Sequence, residues 1–210
     1  MLNLLLFLFQ VIGVSLSGVM APGPVTAAAV AMGARSRYAG TFTAIGHAVV
    51  EFPLMLLIML GMGKLLESTN TQIVIGLAGG ALLLVMAVQM LTNLSIARNR
   101  PAKQTKSKPL LAGAILSASN PYFLLWWATV GLTLATTAGQ LGFWAFALFA
   151  IVHWLCDWVW LQLLSWASFK GSRLLGGHSQ RVVLLICSGA LFFFGLLFIY
   201  NAANILIKRF

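Results

Sequence analysis

Acidic residues are almost absent from this chain of 210 residues, which has three Asp and Glu side chains against thirteen Lys and Arg. Charged residues make up 8% of the sequence, whereas a soluble globular domain has about 25%. Hydrophobic residues make up 60%, and the mean hydropathy is +0.97. This composition excludes an ordinary soluble domain and predicts a polytopic membrane protein.

Cysteine is also scarce. Cys156 and Cys187 are the only two, they do not form a C-x-x-C motif, and both lie in apolar stretches. We therefore expect them to pack in the core, which excludes a disulfide framework. The sequence contains neither a nucleophile–base pair nor a cofactor-binding loop, so we expect a protein that is not an enzyme and has no cofactor.

Six apolar segments are long enough to cross a bilayer, since a crossing needs roughly 20 mostly apolar residues. They are residues 3–33, 40–62, 72–96, 110–136, 141–167 and 181–207. The first could pass for a signal peptide, but it has no basic start and continues into a further apolar stretch, so we interpret it as a span. The predicted fold is therefore an all-α integral membrane protein of six transmembrane helices.

The basic residues indicate the orientation of these spans. Ten of them follow the first, third and fifth spans: Arg35, Arg37, Arg98, Arg100, Lys103, Lys106, Lys108, Lys170, Arg173 and Arg181. The positive-inside rule therefore places these connections in the cytoplasm and both termini outside the cell membrane. Because the positive charge lies between spans, it is explained by topology, and we expect no nucleic-acid partner.

The two halves of the chain match at three places, which predicts an internal repeat. An Ala-Pro-Gly-Pro motif at 21–24 corresponds to Ser-Asn-Pro at 119–121, a His-x-x-x-Glu motif at 47–51 to His-x-x-x-Asp at 153–157, and 79–84 to 188–193. Three spans per half make the second copy inverted. The predicted domains are a first repeat at 1–97, a basic cytoplasmic linker at 98–109 and a second repeat at 110–210.

Prolines should interrupt the first and fourth spans. Pro22, Gly23 and Pro24 stand in the middle of the first apolar run, and Asn120 precedes Pro121 in the fourth. Proline removes a backbone donor and clashes with the preceding turn. Such breaks are tolerated in a bilayer only where they are buried in protein or line a watery cavity. The new helix start beyond each break would suit an anionic group.

Two of the three acids stand in otherwise apolar spans. His47 and Glu51, like His153 and Asp157, are four residues apart and share one helix face. An ionisable group inside the bilayer indicates function. Three roles remain open: proton carriage or direct solute contact, a Zn or Mn site, and hydrogen bonding to the broken backbone.

Other polar and aromatic residues are less informative. We interpret Gln89 and Gln162 as partners in interhelical hydrogen bonds, and His178 as a solvated residue of a polar loop at 176–180. Glu67 lies in another polar loop. The tryptophans are divided between an interfacial belt and the core; they are Trp126, Trp127, Trp154, Trp158 and Trp160.

One family pattern is recognisable in these motifs. The Gly-Val-Met-Ala-Pro-Gly-Pro run at 18–24, followed by Gly33, Gly40, Gly46 and Gly61, resembles the N-terminal signature of the LysE/RhtB family of amino-acid exporters. The Ser-Asn-Pro run at 119–121 is similar to the fourth-helix motif of that family, and the likeness covers essentially the whole chain. His47 and His153 are departures from the typical pattern.

The resemblance implies a small secondary transporter that exports amino acids or related metabolites by proton antiport. Pro22, Gly23, Pro24, Asn120 and Pro121 would form its central discontinuities, with Glu51 and Asp157 as its acidic positions. The wider superfamily includes cadmium and manganese exporters, so the two histidines keep a metal-binding alternative open.

We therefore predict export of a small amphoteric solute, most simply an amino acid, by proton-coupled alternating access. The solute carboxylate would meet the half-helix starts near Thr26 and Tyr122, while Glu51 and Asp157 bind its ammonium group or exchange protons. The alternative is a divalent-metal exporter that uses His47, Glu51, His153 and Asp157. The expected partners are the solute, protons and the lipid bilayer; a homodimer is compatible with the sequence, but no segment identifies an interface.

Overall fold

The computed structural model describes residues 2–62, 68–97, 108–175 and 177–208, and the regular elements in these ranges are all helical. They are α1 (Leu2–Val19), α2 (Pro24–Gly33), α3 (Ala39–Leu57), α4 (Thr69–Ala97), α5 (Pro109–Ala118), α6 (Pro121–Trp126), α7 (Leu132–Gln140), α8 (Phe143–Leu175) and α9 (Gly177–Ile207), with π-helical turns at Ile58–Met62 and Trp127–Gly131. Glu67 and most of the predicted linker at 98–109 lie outside the described residues.

Four helical stretches are long and apolar enough to cross a membrane. They are Ala39–Gly61, Thr69–Thr92, Phe143–Gly171 and Leu185–Ile207. A fifth candidate is the pair α1 and α2, which passes the same test only if the two helices together form one span. The described part of the chain is therefore an all-helical membrane protein, as its composition predicts.

The first predicted span is broken at its prolines. α1 ends at Val19, α2 begins at Pro24, and the two helices are bent by 78° relative to each other. Pro24 occupies the first turn of α2, where its missing N–H loses no helical hydrogen bond. The chain thus restarts a helix inside the protein, with the break between the two pieces.

The fourth predicted span, 110–136, is divided further. α5 ends at Ala118 and α6 begins at Pro121, and the π-helical turn Trp127–Gly131 separates α6 from α7. Among these pieces α5 is apolar but has only 10 residues, which is too short to cross a bilayer.

The prediction of a polar loop at 176–180 is wrong for residues 177–180, which are helical. α8 continues to Leu175 and α9 begins at Gly177, so Lys170, Arg173 and Arg181 lie within helices. Helical backbone satisfies its own hydrogen bonds, and a helix can therefore continue through the interface into water without loss. His178 is helical for the same reason.

Glycines let the helices that carry polar residues approach closely. A Cβ on Gly113 of α5 would collide with the backbone carbonyl of Thr43 in α3, and a Cβ on Gly46 would collide with the backbone of Leu110. Gly40 of α3 lies equally close to the backbone of Leu161 in α8. Small residues at such crossings are what helix packing in lipid prefers. α3 is therefore held tightly between α5 and α8.

Candidate functional site

Two histidines and two acids meet between α3 and α8. α3 contributes His47 and Glu51, and α8 contributes His153 and Asp157; in each pair the four-residue spacing puts both side chains on one helix face. All four side chains are buried. The two motifs that the sequence predicts as equivalent therefore form one cluster.

Glu51 is at the centre of this cluster. Its Oε1 lies 3.1 Å from Nε2 of His47 and 3.1 Å from Nε2 of His153. The indole Nε1 of Trp127 donates to the same oxygen at 3.3 Å. One carboxylate oxygen thus receives partners from both halves of the chain, and Glu51 is 1% exposed.

Asp157 lies at the edge of the cluster. Its Oδ1 is 3.7 Å from Nε2 of His47, and its Oδ2 is 3.6 Å from Nε2 of His153. These distances are ion-pair contacts and are too long for hydrogen bonds. Oδ2 of Asp157 and Oε2 of Glu51 are buried and have no hydrogen-bond partner among the described residues. Both acids therefore keep an oxygen for a further donor.

Each histidine is held at its other ring nitrogen by a buried serine. Nδ1 of His47 lies 2.5 Å from Oγ of Ser117 in α5, and Nδ1 of His153 lies 2.7 Å from Oγ of Ser15 in α1. The serines belong to the broken spans and come from the opposite half of the chain in both cases. The break and the cluster are therefore parts of one polar centre.

The start of α2 supplies a different kind of surface. Gly23 is its N-cap residue, in extended conformation, and no side chain in the described part of the chain caps the first turn. The hydroxyl of Thr26 donates back to the carbonyl of Ala21 at 3.4 Å. The first N–H groups of a helix have no partner within the helix and carry its positive dipole end. An anionic group is accordingly favoured here.

The start of α6 is arranged otherwise, because one of its backbone donors has a side-chain partner. The side chain of Asn120 accepts a hydrogen bond from the backbone N–H of Tyr122 at 3.1 Å and so caps this helix. Asn120 satisfies the donor that was expected to meet a solute carboxylate. Of the two helix starts, only that of α2 lacks a side-chain cap.

A cavity of about 80 Å³ joins the break to the cluster. By the same measure one water molecule needs about 10–15 Å³, so the cavity has room for several water molecules or a small solute. Its walls include most predicted site residues and several aromatic side chains. They include Pro22, Gly23, Thr26, His47, Glu51, Asn120, Tyr122, Phe123, Trp126, Trp127, His153 and Asp157. Pro24 is buried in the first turn of α2, and Pro121 is in the first turn of α6.

The donor set also has the composition of a metal site. One ligand atom each from His47, Glu51 and Asp157 lie within 4.8 Å of one another, and Nε2 of His153 lies beside the same Glu51 oxygen. Mixed nitrogen and oxygen ligands suit Zn and Mn. Metal-bound histidines usually donate their second ring N–H to a neighbouring group, and the serines are placed to accept it.

Polar residues outside the cavity fasten helices together. Gln162 accepts from the backbone N–H and the hydroxyl of Thr41, and it donates to the carbonyl of Arg37. It forms interhelical hydrogen bonds, as predicted. Gln89 is exposed on α4, and both cysteines are buried and unpaired.

The sequence interpretation missed three members of the polar centre: Ser15, Ser117 and Trp127. Serine is common in membrane helices as a small packing residue, and the partners of these two lie 138 and 70 positions away in the chain. Trp127, 76 positions from Glu51, is one of several tryptophans. Nothing in a single sequence distinguishes these residues from packing residues.

Comparison with known proteins gives one result. The family model for the LysE type translocator matches residues 16–202. No curated protein and no solved structure matches the chain. The match covers both helix breaks and all four residues of the cluster. The chain therefore belongs to the LysE type translocator family, whose members are membrane transporters and not enzymes.

Proposed function

We propose that this translocator exports a small amphoteric solute, most simply an amino acid, by proton-coupled alternating access. One observation carries the proposal: Glu51 and Asp157, each with a buried oxygen that has no hydrogen-bond partner among the described residues, line the same cavity as the uncapped start of α2. An amino acid has an anionic and a cationic end. The cavity offers a complementary group to each.

The carboxylate of the solute would bind at the start of α2. Gly23 and Thr26 line the cavity there, and the unpaired N–H groups of the first turn favour an anion. Gly23 has no side chain that would keep the solute from the backbone. This end of the site binds the feature that all amino acids share.

The ammonium group of the solute would bind the free oxygens of Glu51 and Asp157. A hydrogen bond between charged partners is roughly twice as strong as a neutral one, and burial removes competing water. The aromatic wall formed by Phe123, Tyr122 and Trp126 would face the solute side chain. Selectivity among amino acids would then depend on that wall.

Proton coupling would use the same acids. Glu51 shares one oxygen between two imidazoles, so a proton can be held between acid and histidine when no ammonium group is present. The solute and the proton then compete for the same carboxylate oxygens. A carrier that binds either the solute or a proton on each side of the membrane exchanges one for the other.

The proposed transporter has six spans in two inverted repeats, with both termini on the outer side of the cell membrane. The two broken segments and the two pairs of histidine and acid support it. α1–α2 and α5–α6 are each interrupted at a proline, and discontinuous helices near the midplane are typical of transporters with inverted repeats. Cysteine labelling at residues 3 and 208 from outside intact cells tests the orientation.

Purified protein in proteoliposomes tests the function. Vesicles loaded with a radiolabelled amino acid should release it faster when a pH gradient is imposed, and an unlabelled solute of the same kind should compete. Testing small, large apolar and basic amino acids in turn will define selectivity. The proposal is wrong if no amino acid is transported and none changes the melting temperature of the protein.

A second candidate function is export of a divalent cation, with Zn²⁺, Mn²⁺ or Cd²⁺ as the cargo. The observation that favours it is the convergence of four metal-ligating side chains from two helices. Titration calorimetry on the purified protein should then show binding of one ion. Replacing both His47 and His153 with Ala should abolish that binding; unchanged metal binding in this variant rejects the candidate.

A further inference from the structure

We propose that Ser15 and Ser117 are positioning residues that aim the two histidines at Glu51, each serine acting on the histidine of the opposite half. This inference deepens the proposed function and rests on it for the transport measurement below. Neither serine touches the proposed solute atoms. Their effect would pass through the imidazole rings.

A continuous chain of hydrogen bonds carries the argument. It runs from Oγ of Ser117 through His47, Oε1 of Glu51 and His153 to Oγ of Ser15, with successive lengths of 2.5, 3.1, 3.1 and 2.7 Å. All five side chains are buried, and both serines are 0% exposed. Both serines are therefore shielded from solvent in the folded protein.

The hydrogen of Ser117 fixes the direction of the first bond. Its hydroxyl donates to the carbonyl of Gly113 at 2.6 Å, and a serine has a single hydrogen to donate. Nδ1 of His47 must therefore be the donor in its bond to Ser117. This places a hydrogen on Nδ1 and turns Nε2 toward Glu51.

The aromatic contacts of the rings cannot perform this task. His47 lies edge-on to Phe123, with 5.1 Å between ring centroids, and His153 is stacked on Trp126 at 5.1 Å. Aromatic contacts hold the plane of an imidazole, but they accept a ring that is turned over by 180° almost equally well. A polar partner at Nδ1 favours the orientation that also turns Nε2 toward Glu51, and it holds a ring whose terminal torsion is broad.

The arrangement is reciprocal between the halves. α5 brings Ser117 to α3 because Gly113, one turn earlier, permits backbone contact with Thr43; α1 brings Ser15 to α8. A shift of either broken span against its neighbouring helix would lengthen a bond from serine to histidine. The two serines thus make the orientation of each histidine depend on the position of the other half.

Transport kinetics give the first test. Ser15→Ala and Ser117→Ala each remove one buried hydrogen bond, which corresponds to roughly a twofold to tenfold loss in apparent solute affinity. We expect the KM to rise while the amount of folded protein and the maximal rate stay near those of the wild type. Ser→Thr at each position keeps the hydroxyl and should restore the KM. Ser188→Ala is the matched control, because Ser188 is also buried but bonds to the carbonyl of Leu185 in its own helix.

Nuclear magnetic resonance of ¹⁵N-histidine gives a test that does not need a solute. The chain has three histidines, so a His178→Gln background leaves the two signals of interest, and His153→Gln assigns them. Nδ1 of His47 should carry a hydrogen. Ser117→Ala should shift the Nδ1 signal of His47 alone, and Ser15→Ala that of His153 alone.

The two experiments separate the possible failures. If no amino acid is transported but the ring signals respond as described, the serines position the histidines and the proposed solute is wrong. An unprotonated Nδ1 of His47 in the His178→Gln protein overturns the positioning role, even if the alanine variants do not fold. Unchanged ring signals in folded alanine variants overturn it as well.

Discussion

Glu51→Gln separates the function of the central acid from its contribution to stability. The substitution preserves the shape of a residue that is 1% exposed, and it removes one charge. The amide oxygen can still accept from Trp127, and its NH₂ group takes the place of the Oε2 atom that has no partner. The change therefore tests the charge rather than the packing.

The structure allows the stability effect to be estimated. A hydrogen bond to a charged group contributes about 1.5–3 kcal/mol and a neutral one about 0.5–1.5 kcal/mol, so weakening both imidazole bonds of Glu51 loses roughly 2–3 kcal/mol. Removing a buried charge also removes its desolvation penalty, which is several kcal/mol per ion. The two effects oppose each other and are of similar size. We expect the melting temperature to change by only a few degrees.

Transport should respond far more strongly. Loss of one charged contact to an ammonium group weakens binding by about tenfold to a hundredfold, and the variant can no longer exchange a proton at this position. Flux in proteoliposomes should therefore stop responding to an imposed pH gradient. Glu67→Gln is the control, since it removes the third acid of the chain, which lies outside the described residues. A Glu51→Gln protein with normal KM and full pH-driven flux would refute the reasoning.

Three further predictions concern the surroundings of Glu51. Asp157→Asn should leave the melting temperature nearly unchanged, because among the described residues Asp157 makes ion-pair contacts at 3.6 and 3.7 Å and no hydrogen bond. It should nevertheless weaken solute binding in the same assay; normal binding would remove Asp157 from the site. Gly113→Ala should destabilise the protein by about 1–3 kcal/mol in thermal unfolding, because its Cβ would collide with the backbone of α3. Gly139→Ala, where nothing lies within 4 Å, should be neutral or stabilising by up to about 1 kcal/mol, and equal effects of the two changes would contradict the close approach. Asn120→Ala should lower the melting temperature by about 2–4 °C through loss of the α6 cap, which contributes roughly 1 kcal/mol; an unchanged value would show that the cap contributes no stability.

The sequence predicted the membrane class, the family and the positions of both helix breaks. These features depend on local chemistry: long apolar runs need a bilayer, and Pro24 and Pro121 cannot continue a preceding helix. The family prediction is confirmed by the match over residues 16–202. The six-span count and the inverted repeat stay predictions, since the described helices include four long spans and one bent pair that can form a fifth.

The cluster was predictable in part. Spacing of four placed each histidine beside its own acid, but it could not show that His153 would hydrogen-bond Glu51 of the other half. That contact, like those of Ser15 and Ser117, depends on how helices from distant parts of the chain cross, and glycines such as Gly113 and Gly40 allow the close approach of α3 to α5 and α8. The sequence prediction assigned the helix start near Tyr122 to the solute carboxylate, and a single sequence could not show that the side chain of Asn120 accepts from the N–H of Tyr122.

The length of α8 determines how far this helix extends beyond the hydrocarbon layer of the membrane. Its 33 residues rise about 50 Å at 1.5 Å each, while the hydrocarbon layer is about 30 Å thick. Even a tilt of about 40°, near the upper limit for membrane helices, accommodates only some 26 residues. At least one or two turns must therefore stand among the headgroups or beyond them. Lys170, whose Nζ lies 3.9 Å from the centre of the Trp166 ring, marks the end of α8 best suited to that emergence. A basic side chain at this end can bind anionic lipid headgroups and so set how deeply α8 sits in the membrane.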